Sequence, residues 1–349
     1  PSSLALLRTC LAAAGDRVLR VRDLDAVPYT PCAVEVLAGG LHTTVQDWPG
    51  RLGLWAVGVP PSGPFDDLGF RLANRLVGNP PGAAGLEITL QGPTLRFQRE
   101  TIFALAGADL DPRLDGSPIP NWACVLAPAG SVLSFKGRKA GVRCYLAVSG
   151  GIDVPPVMES RSTYLLGKFG GLDGRPLRAQ DRLPLAAPAG DYRRLAGRVF
   201  PQDSLPPYRK NPTLRAVVGP FDDFFSKEGM EAFFSTPYTI TPQSDRMGYR
   251  LQGVPISRQK KGELITCGLA NGSIQVPPDG QPILLLADRQ TIGGYPLIAT
   301  LIHADLPLAA QSAPGDQVRF AAVSVDEGRR AFLDLWGKLE EYKRSGIGG

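Results

Sequence analysis

From Val34 onward the apolar residues come in short runs separated by glycine, proline and small polar residues. Val34-Glu-Val-Leu-Ala38, Thr94-Leu-Arg-Phe97, Thr101-Ile-Phe-Ala-Leu-Ala-Gly107, Ser131-Val-Leu-Ser-Phe135 and Arg143-Cys-Tyr-Leu-Ala-Val-Ser-Gly150 either alternate or are apolar throughout. Such runs predict half-buried and fully buried strands respectively, and their close spacing suits a barrel or a sandwich. Helical spacing interrupts them in few places. Asp66 to Leu76 (DDLGFRLANRL) places two acids at a helix N-terminus, where the macrodipole favours them, with Gly78 near its stop. Phe221 to Phe234 reads as a second helix, and Asp326 to Tyr342 (DEGRRAFLDLWGKLEEY) as an amphipathic one open to solvent or a partner.

The same pattern divides the chain. Leu4 to Ala14 has helical spacing and ends at Gly15, so residues 1–33 read as an N-terminal appendage, with something upstream cut away. Residues 34–187 form a first β-rich domain, and 214–323 a second. The Arg- and Pro-rich stretch at 188–213 lacks apolar periodicity and reads as a linker; 324–349 is a C-terminal helix. Both β-rich units end alike, with Leu177-Arg-Ala-Gln-Asp-Arg-Leu-Pro-Leu185 in one and Ala313-Pro-Gly-Asp-Gln-Val-Arg-Phe320 in the other. That echo suggests an internal duplication.

Composition narrows the functional classes. A chain of 349 residues, 43% hydrophobic, can bury two sizeable cores. Its 38 Lys and Arg against 33 Asp and Glu are scattered rather than clustered, which argues against a nucleic-acid partner. No apolar run approaches the roughly 20 residues that span a bilayer, and no signal peptide is evident, so a cytoplasmic protein is expected. Five cysteines without a CxxC pair, and only His42 and His303 beside them, fit reduced thiols better than a disulfide framework or a metal site.

Ready-made catalytic motifs are missing. The chain has no nucleophile elbow, no GxxxxGK[ST] phosphate loop and no Met-Lys-Met biotin anchor. Four segments carry more polar groups and glycines than a core needs. In the first, Gln46 and Asp47 lie in Thr43-Thr-Val-Gln-Asp-Trp-Pro-Gly-Arg51, just ahead of Gly58-Val-Pro-Pro-Ser-Gly-Pro64. Prolines stiffen that loop around Ser62 and Gly63, as a barrel corner or a binding loop would require. In the second, Ser160-Arg-Ser-Thr-Tyr164 offers Arg161 and Ser162 beside a Gly-rich turn, groups that suit a carboxylate, a carbamate or a ureido oxygen, or else a solvated turn. The third is Ser244-Asp-Arg-Met-Gly-Tyr-Arg250; on a strand Arg246 and Arg250 would share a face with Gly248. The fourth follows a buried strand and holds Asp288, Arg289, Gln290, Thr291 and Tyr295, the placement at which loops on rigid elements often carry function.

These segments are also where a family becomes recognisable. Leu41-His-Thr-Thr-Val-Gln-Asp-Trp-Pro-Gly-Arg51, Gly58-Val-Pro-Pro-Ser-Gly-Pro64, Arg71-Leu-Ala-Asn-Arg-Leu-Val-Gly-Asn79, Leu86-Glu-Ile-Thr-Leu90, Leu105-Ala-Gly-Ala-Asp109, Gly150-Gly-Ile-Asp153, Ser160-Arg-Ser-Thr163, Ser244-Asp-Arg-Met-Gly248 and Asp288-Arg-Gln-Thr291 resemble, in order, the carboxyltransferase A/B family, also called allophanate hydrolase subunit 2. The resemblance covers about residues 34–323. It implies a mostly β fold with a few helices, in two tandem cyclophilin-like β-barrel subdomains. Its members include the region of urea carboxylase that moves a carboxyl group from carboxybiotin to urea, the C subunit of the ATP-dependent 5-oxoprolinase, and a regulatory antagonist of a kinase inhibitor.

The expectation is therefore an enzyme component that does not act alone. It would move a carboxyl group from biotin, carried by another domain or subunit, to urea or a related small amide; ATP would be used elsewhere in the complete system. Its partner would be the carboxyltransferase C/D (allophanate hydrolase subunit 1) part, together with biotin carboxylase and biotin carrier domains. The alternatives are lactam hydrolysis as part of a 5-oxoprolinase and a non-catalytic regulatory module. On chemical fitness, Arg246, Arg289 and the amides of Ser62 and Gly63 would stabilise developing oxyanions. Asp245 or Asp288 would orient substrate N–H groups, and Gln46, Asp47, Arg161, Ser162, Gln290, Thr291 and Tyr295 would bind substrate.

Overall fold

The computed structural model describes residues 34–344 apart from 189, 202–207 and 261–263. The N-terminal appendage expected at 1–33 lies outside the described residues. The first half carries β1 (Val34–Ala38), β2 (His42–Gln46), β3 (Gly85–Thr89), β4 (Thr94–Phe97), β5 (Thr101–Asp109), β6 (Pro112–Leu114), β7 (Ser117–Pro118), β8 (Ala123–Ala127), β9 (Val132–Phe135), β10 (Ala140–Val148) and β11 (Arg182–Leu183). They form a six-stranded sheet, ordered β11-β1-β4-β9-β6-β7, and a five-stranded sheet, ordered β2-β3-β10-β5-β8. The fold is mostly β with a few helices, as the sequence pattern predicts.

Burial explains why some strands alternate and others do not. On β1 and β4, Val34, Val36, Leu95 and Phe97 point into the core between the two sheets while Glu35 and Arg96 face out and pair at 3.1 Å. The central strand β5 is covered on both faces. Its Phe103 and Leu105 join that core, and its Ile102, Ala104 and Ala106 pack beneath helix α1 (Asp67–Leu76) with Leu68, Phe70, Leu72 and Leu76. A continuous apolar run is what two covered faces demand. Asp66 caps α1, its Oδ1 accepting from the Gly69 amide at 2.9 Å, so the paired acids do mark the helix start.

The second half holds β12 (Thr213–Val218), β13 (Tyr238–Ile240), β14 (Gly248–Gln252), β15 (Cys267–Gly268), β16 (Ser273–Gln275), β17 (Ile283–Leu285), β18 (Ile292–Gly293), β19 (Leu297–Leu301) and β20 (Gln317–Ala322). Seven of these close a barrel in the order β12-β19-β16-β17-β14-β13-β20, which leaves no free edge among them. Leu214, Ala216, Val318 and Phe320 point inward from strands whose other residues face out. The helix expected over Phe221–Phe234 is broken. Asp222–Phe224 makes a 3₁₀ turn, buried Phe225 is extended and bridges Arg258, and Ser226 then caps helix α2 (Lys227–Ser235) through the Gly229 amide at 3.1 Å. A serine followed by helix formers restarts the helix once Phe225 has been drawn into the core.

The echo between the two ends has a structural counterpart. The Asp181 and Asp316 carboxylates accept from the amides of Arg178 and Ala313, at 2.8 and 2.9 Å. The residue before each aspartate, Gln180 or Gly315, has positive φ, and its amide donates to Val36 on β1 or Ile240 on β13, both at 2.8 Å. One turn thus fastens the closing strand of each half to an earlier strand.

Between the halves, the stretch expected as a linker carries a 3₁₀ turn, Tyr192–Leu195, and buries Phe200 against Trp122. Helix α3 (Leu306–Ala310) precedes the closing strand, and α4 (Val325–Arg344) returns to the first half. There the Arg71 guanidinium of α1 lies between two rings, Trp48 at 4.2 Å and Trp336 at 3.7 Å. No helix of the described residues is long and apolar enough to cross a membrane. Cys124 and Cys144 are buried free thiols; burial pushes the Cys124 thiol up to about 12 and Cys144 higher still, so neither is reactive.

The barrel core is centred on Phe233, stacked on Phe320 with centroids 4.6 Å apart. Phe233→Ala is expected to cost about 3–5 kcal/mol in urea denaturation. Leu333→Ala on the exposed side of α4 should stay within about 0.5 kcal/mol; equal losses would contradict this packing.

Candidate functional site

A cavity of about 870 Å³ opens between loops of the two halves. The first half contributes Trp48, Pro49, Leu52 and Trp55 from the loop after β2, and Pro61, Ser62, Pro64, Phe65 and Asp67 from the approach to α1. The second contributes Leu269 to Asn271 after β15, Ala287, Arg289 and Thr291 after β17, His303 ahead of α3 and Leu306 at its start. The walls are largely apolar with a few convergent polar groups, the character of a small-molecule site.

The loop that carries Ser62 is held from below. Arg51, fully buried, donates through Nε to the Val157 carbonyl at 3.1 Å and through Nη2 to the Ser162 carbonyl, and lies 4.8 Å from the Phe169 ring. The Arg51 amide donates to the Pro61 carbonyl at 2.7 Å, an approach that needs Gly50, whose Cβ would lie 2.2 Å from that oxygen. Asp47 accepts from Ser160 Oγ, Ser162 Oγ and the Arg161 amide, each at 2.6 Å. Its carboxylate is therefore spent on the clamp. Above it Ser62 adopts φ +57° and buries an Oγ that has no hydrogen-bond partner. A strained residue with a buried, orphan hydroxyl beside a cavity marks a place to look for function.

Beneath the cavity lies a buried charge network. Arg246 donates to both oxygens of Asp288, Nε to Oδ2 at 2.9 Å and Nη2 to Oδ1 at 3.2 Å. It also donates to Glu87 through Nη1, and Nη2 reaches the Gly63 carbonyl at 2.7 Å. Burial alone would push the Glu87 carboxyl up. The charges of Arg246 and Arg143, with hydrogen bonds from the Phe65 amide and Tyr145 hydroxyl, outweigh it and hold Glu87 below the usual range. Arg246 is likewise pushed down by burial but held above its ordinary value by Asp288 and Glu87. Nearby, burial first and then the Arg246 charge lower the pKa of His42.

Arg289 differs from Arg246. It is 6% exposed, and its Nε and Nη1 donate to the carbonyls of Leu269 at 3.0 Å and Leu286 at 3.4 Å. No carboxylate pairs with it among the described residues. Burial outweighs the Asp288 charge and lowers its pKa to about 10. A buried guanidinium on a cavity wall without a counter-ion is poised to meet an anionic or carbonyl oxygen.

The structure sorts the residues selected from the sequence. Ser62, Arg289 and Thr291 line the cavity. Arg246, Asp288 and Gly63 lie directly behind it, joined by the hydrogen bonds above. Asp47 and Ser162 belong to the clamp, and the Arg161 side chain turns to the Val154 carbonyl and Asp153. Gln46 donates to Thr44 Oγ1 at 3.0 Å, and Gln290 to Gln275 Oε1 at 3.1 Å; Tyr295 is exposed, its carbonyl accepting from Gln275. Asp245 is exposed and accepts from the amides of Met247 and Gly248, so it shapes the turn into β14. Arg246 and Arg250 do not share a face. Arg246 precedes the strand and is buried, whereas Arg250 on β14 is exposed, because alternation begins only at Gly248.

Sequence reasoning passed over Trp48, Phe65, Asp67 and His303 as cavity residues. His303 Nε2 lies 3.3 Å from Asp67 Oδ2, with Phe332 and Trp336 of α4 against its ring. The two are 236 positions apart, and only the acidic start of α1 offered a signal, which reads equally as a helix cap.

The cavity and the fold around it define a class of protein. The family model for the carboxyltransferase domain, subdomain A and B, matches residues 57–322, and the chain belongs to that family. Over 308 residues it is 40% identical to the C subunit of 5-oxoprolinase from Escherichia coli, covering 88% of this chain and 97% of that one. It is 38% identical over 325 residues to urea amidolyase of Lachancea kluyveri, covering 88% of this chain but 18% of the relative. The crystal structure of the K. lactis urea amidolyase superposes with a TM-score of 0.82 at 34% identity, over 93% of this chain and 20% of that one. The chain thus spans nearly the whole of one kind of relative and a minor part of the other.

The network extends to Asp66, whose Oδ2 accepts from Tyr208 and Gln311, each at 2.8 Å. Burial raises its pKa to about 6 against these bonds and that of Gly69. The unfolded carboxyl titrates near 3.9, so between about pH 4 and 6 the folded protein holds more protons than the unfolded one. Stability from this group therefore falls as pH rises through that window. Asp66→Asn should remove that slope from the urea-denaturation profile while adding a pH-independent cost; an identical slope in both proteins would refute the assignment.

Proposed function

We propose that this chain is the A/B half of a biotin-dependent carboxyltransferase of the urea carboxylase kind, transferring a carboxyl group to urea or a related small amide. The observation that carries the reading is the cavity that places the unpaired Arg289 guanidinium and the orphan Ser62 hydroxyl within apolar walls. A ureido ring with one carbonyl and flat apolar faces fits such a site, with Trp48 and Phe65 beside it and Ser62 and Arg289 toward its oxygens. When bound there, carboxybiotin supplies the carboxyl group.

The chain's own contribution is electrostatic and positional. Arg289 donates to the oxygen on which negative charge develops; the burial of its guanidinium among apolar walls strengthens that bond, and its pre-placement avoids reorganisation. Ser62 Oγ supplies a second polar contact. Arg246, Asp288 and Gly63 act from behind, fixing the loops that present Arg289 and Ser62. Asp47, Arg161 and Ser162 hold the same loop through the clamp, and Thr291 completes the wall, with Gln46, Gln290 and Tyr295 outside it. An amide nitrogen gives up a proton as it is carboxylated; the His303 ring on the wall, with Nε2 turned to Asp67 Oδ2 at 3.3 Å, would receive it at Nδ1.

The cavity mouth supports a shared site. Leu52, Trp55 and Ile292 are each more than half exposed around it, an apolar rim suited to a partner of the C/D type. Biotin carboxylase and biotin carrier parts, with ATP, would complete the system. A second reading, the C subunit of an ATP-dependent 5-oxoprolinase, is favoured by the 97% coverage of that relative. The same cavity would then hold the lactam, with Arg289 on its carbonyl.

In the complex reassembled with its C/D, biotin carboxylase and biotin carrier parts, Arg289→Ala should lower urea-dependent ATP turnover about 10²-fold, with Arg289→Lys intermediate. Circular dichroism should be unchanged. Wild-type rates with urea, or instead with 5-oxoproline, decide between the readings, and an unaffected Arg289→Ala rate with both substrates would refute the role.

A further inference from the structure

A second cavity, sharing no lining residue with the first, has the opposite chemistry. It measures about 410 Å³ and is lined by Arg138 and Lys139 before β10, by Arg209 and Lys210 ahead of β12, and by Gln311 and Asp316 at the close of the barrel. Four cations therefore face one carboxylate. That carboxylate is already engaged: Asp316 Oδ2 accepts from the Ala313 amide at 2.9 Å and from Arg138 Nη2 at 3.4 Å. Lys139 is partly neutralised from outside by Asp111, at 3.0 Å, which Arg113 also pairs. Arg209 and Lys210 are exposed and have no acidic partner among the described residues.

Several cations elsewhere in the described residues have an acid beside them. Arg175 with Asp181, Arg215 with Asp305 and Arg193 with Glu100 all form close pairs. Like charges converging on one hollow raise one another's energy, and a bound polyanion relieves that repulsion. We propose that this cavity binds a small phosphate-bearing anion. Its volume admits a nucleotide-sized molecule. Arg138 is already oriented by its bond to the Gly141 carbonyl at 2.5 Å and can present the planar donor edge that suits phosphate oxygens, while Lys139, Arg209 and Lys210 supply point charges. A concave hollow of this size favours a small molecule over an acidic protein surface, which would need a broad flat patch.

The floor of the cavity leads back to the first site. Tyr208 and Gln311, both on its wall, are the two side chains that donate to Asp66 Oδ2, and Asp66 caps the helix whose first residue, Asp67, lines the larger cavity. The anion site stands whatever reaction the larger cavity serves.

Titration calorimetry of the full chain with pyrophosphate, at matched ionic strength, tests the inference. The wild type should bind one equivalent saturably, and Arg209→Gln with Lys210→Gln should weaken binding at least about tenfold without moving the melting temperature, since both side chains are exposed. A nucleoside triphosphate should compete with pyrophosphate for the same site. Absence of saturable binding, equal binding by the double variant, or tighter binding of a hexaglutamate peptide than of pyrophosphate would overturn it.

Discussion

Two carboxylates and one guanidinium, all withdrawn from water, tie the halves of this protein together. Glu87 lies on a central strand of the first half; Arg246 and Asp288 lie on loops of the second, and Arg246 reaches both acids and the Gly63 carbonyl. Desolvating one such charge costs several kcal/mol unless partners replace the water, so each group is tolerable only with the others in place. The neighbouring polar groups obey the same constraint. Arg143 reaches across to the Tyr249 hydroxyl at 2.9 Å and the Ala310 carbonyl at 2.5 Å, and Gln311 reaches back to the amides of Val142 and Arg143. An interface built this way has one register. Sliding either half would strand buried charges.

That fixed register makes the cavity a defined shape. Glu87 accepts from the Phe65 amide at 2.7 Å, and Arg246 holds the Gly63 carbonyl, so both ends of the Ser62 segment are anchored to the ion network. Asp288, held by the same arginine, precedes Arg289 in the chain. Ser62 and Arg289, two polar residues of the cavity wall on different halves of the molecule, are thus linked by one salt-bridged unit rather than by flexible side chains. Pre-placement of this kind is what electrostatic stabilisation of a reacting group requires. The strained Ser62 backbone and the Arg289 guanidinium without a carboxylate partner are departures of the fold that fall at this cavity.

The sequence showed much of the frame. Alternation located β1, β4 and β20, continuous apolar runs located β5 and β10, and the acids before Leu68 located the cap of α1. Local rules sufficed because burial on one face or two writes itself directly into residue spacing. They failed where tertiary packing decided the outcome. Phe225 left its helix to enter the core, and Arg246 left the strand period to meet Glu87, a residue hidden within the plain strand pattern Leu86-Glu-Ile-Thr-Leu90. The chemical fitness of Asp47, Arg161 and Ser162 was visible, but not that their groups would be consumed in a clamp. His303 and Asp67 meet only through the fold, and no spacing rule links them.

A double-mutant cycle between the halves tests the central claim most directly. Urea denaturation of the wild type, Glu87→Gln, Arg246→Met and the double variant gives the coupling between the two side chains. A coupling of about 2–3 kcal/mol is expected, because removing either partner takes a buried counter-charge from the other, while the loss suffered by Asp288 is common to the Arg246 single and the double variant and cancels from the cycle. Effects that add to within about 0.5 kcal/mol would contradict it, and with it the view that this ion network sets the register of the cavity.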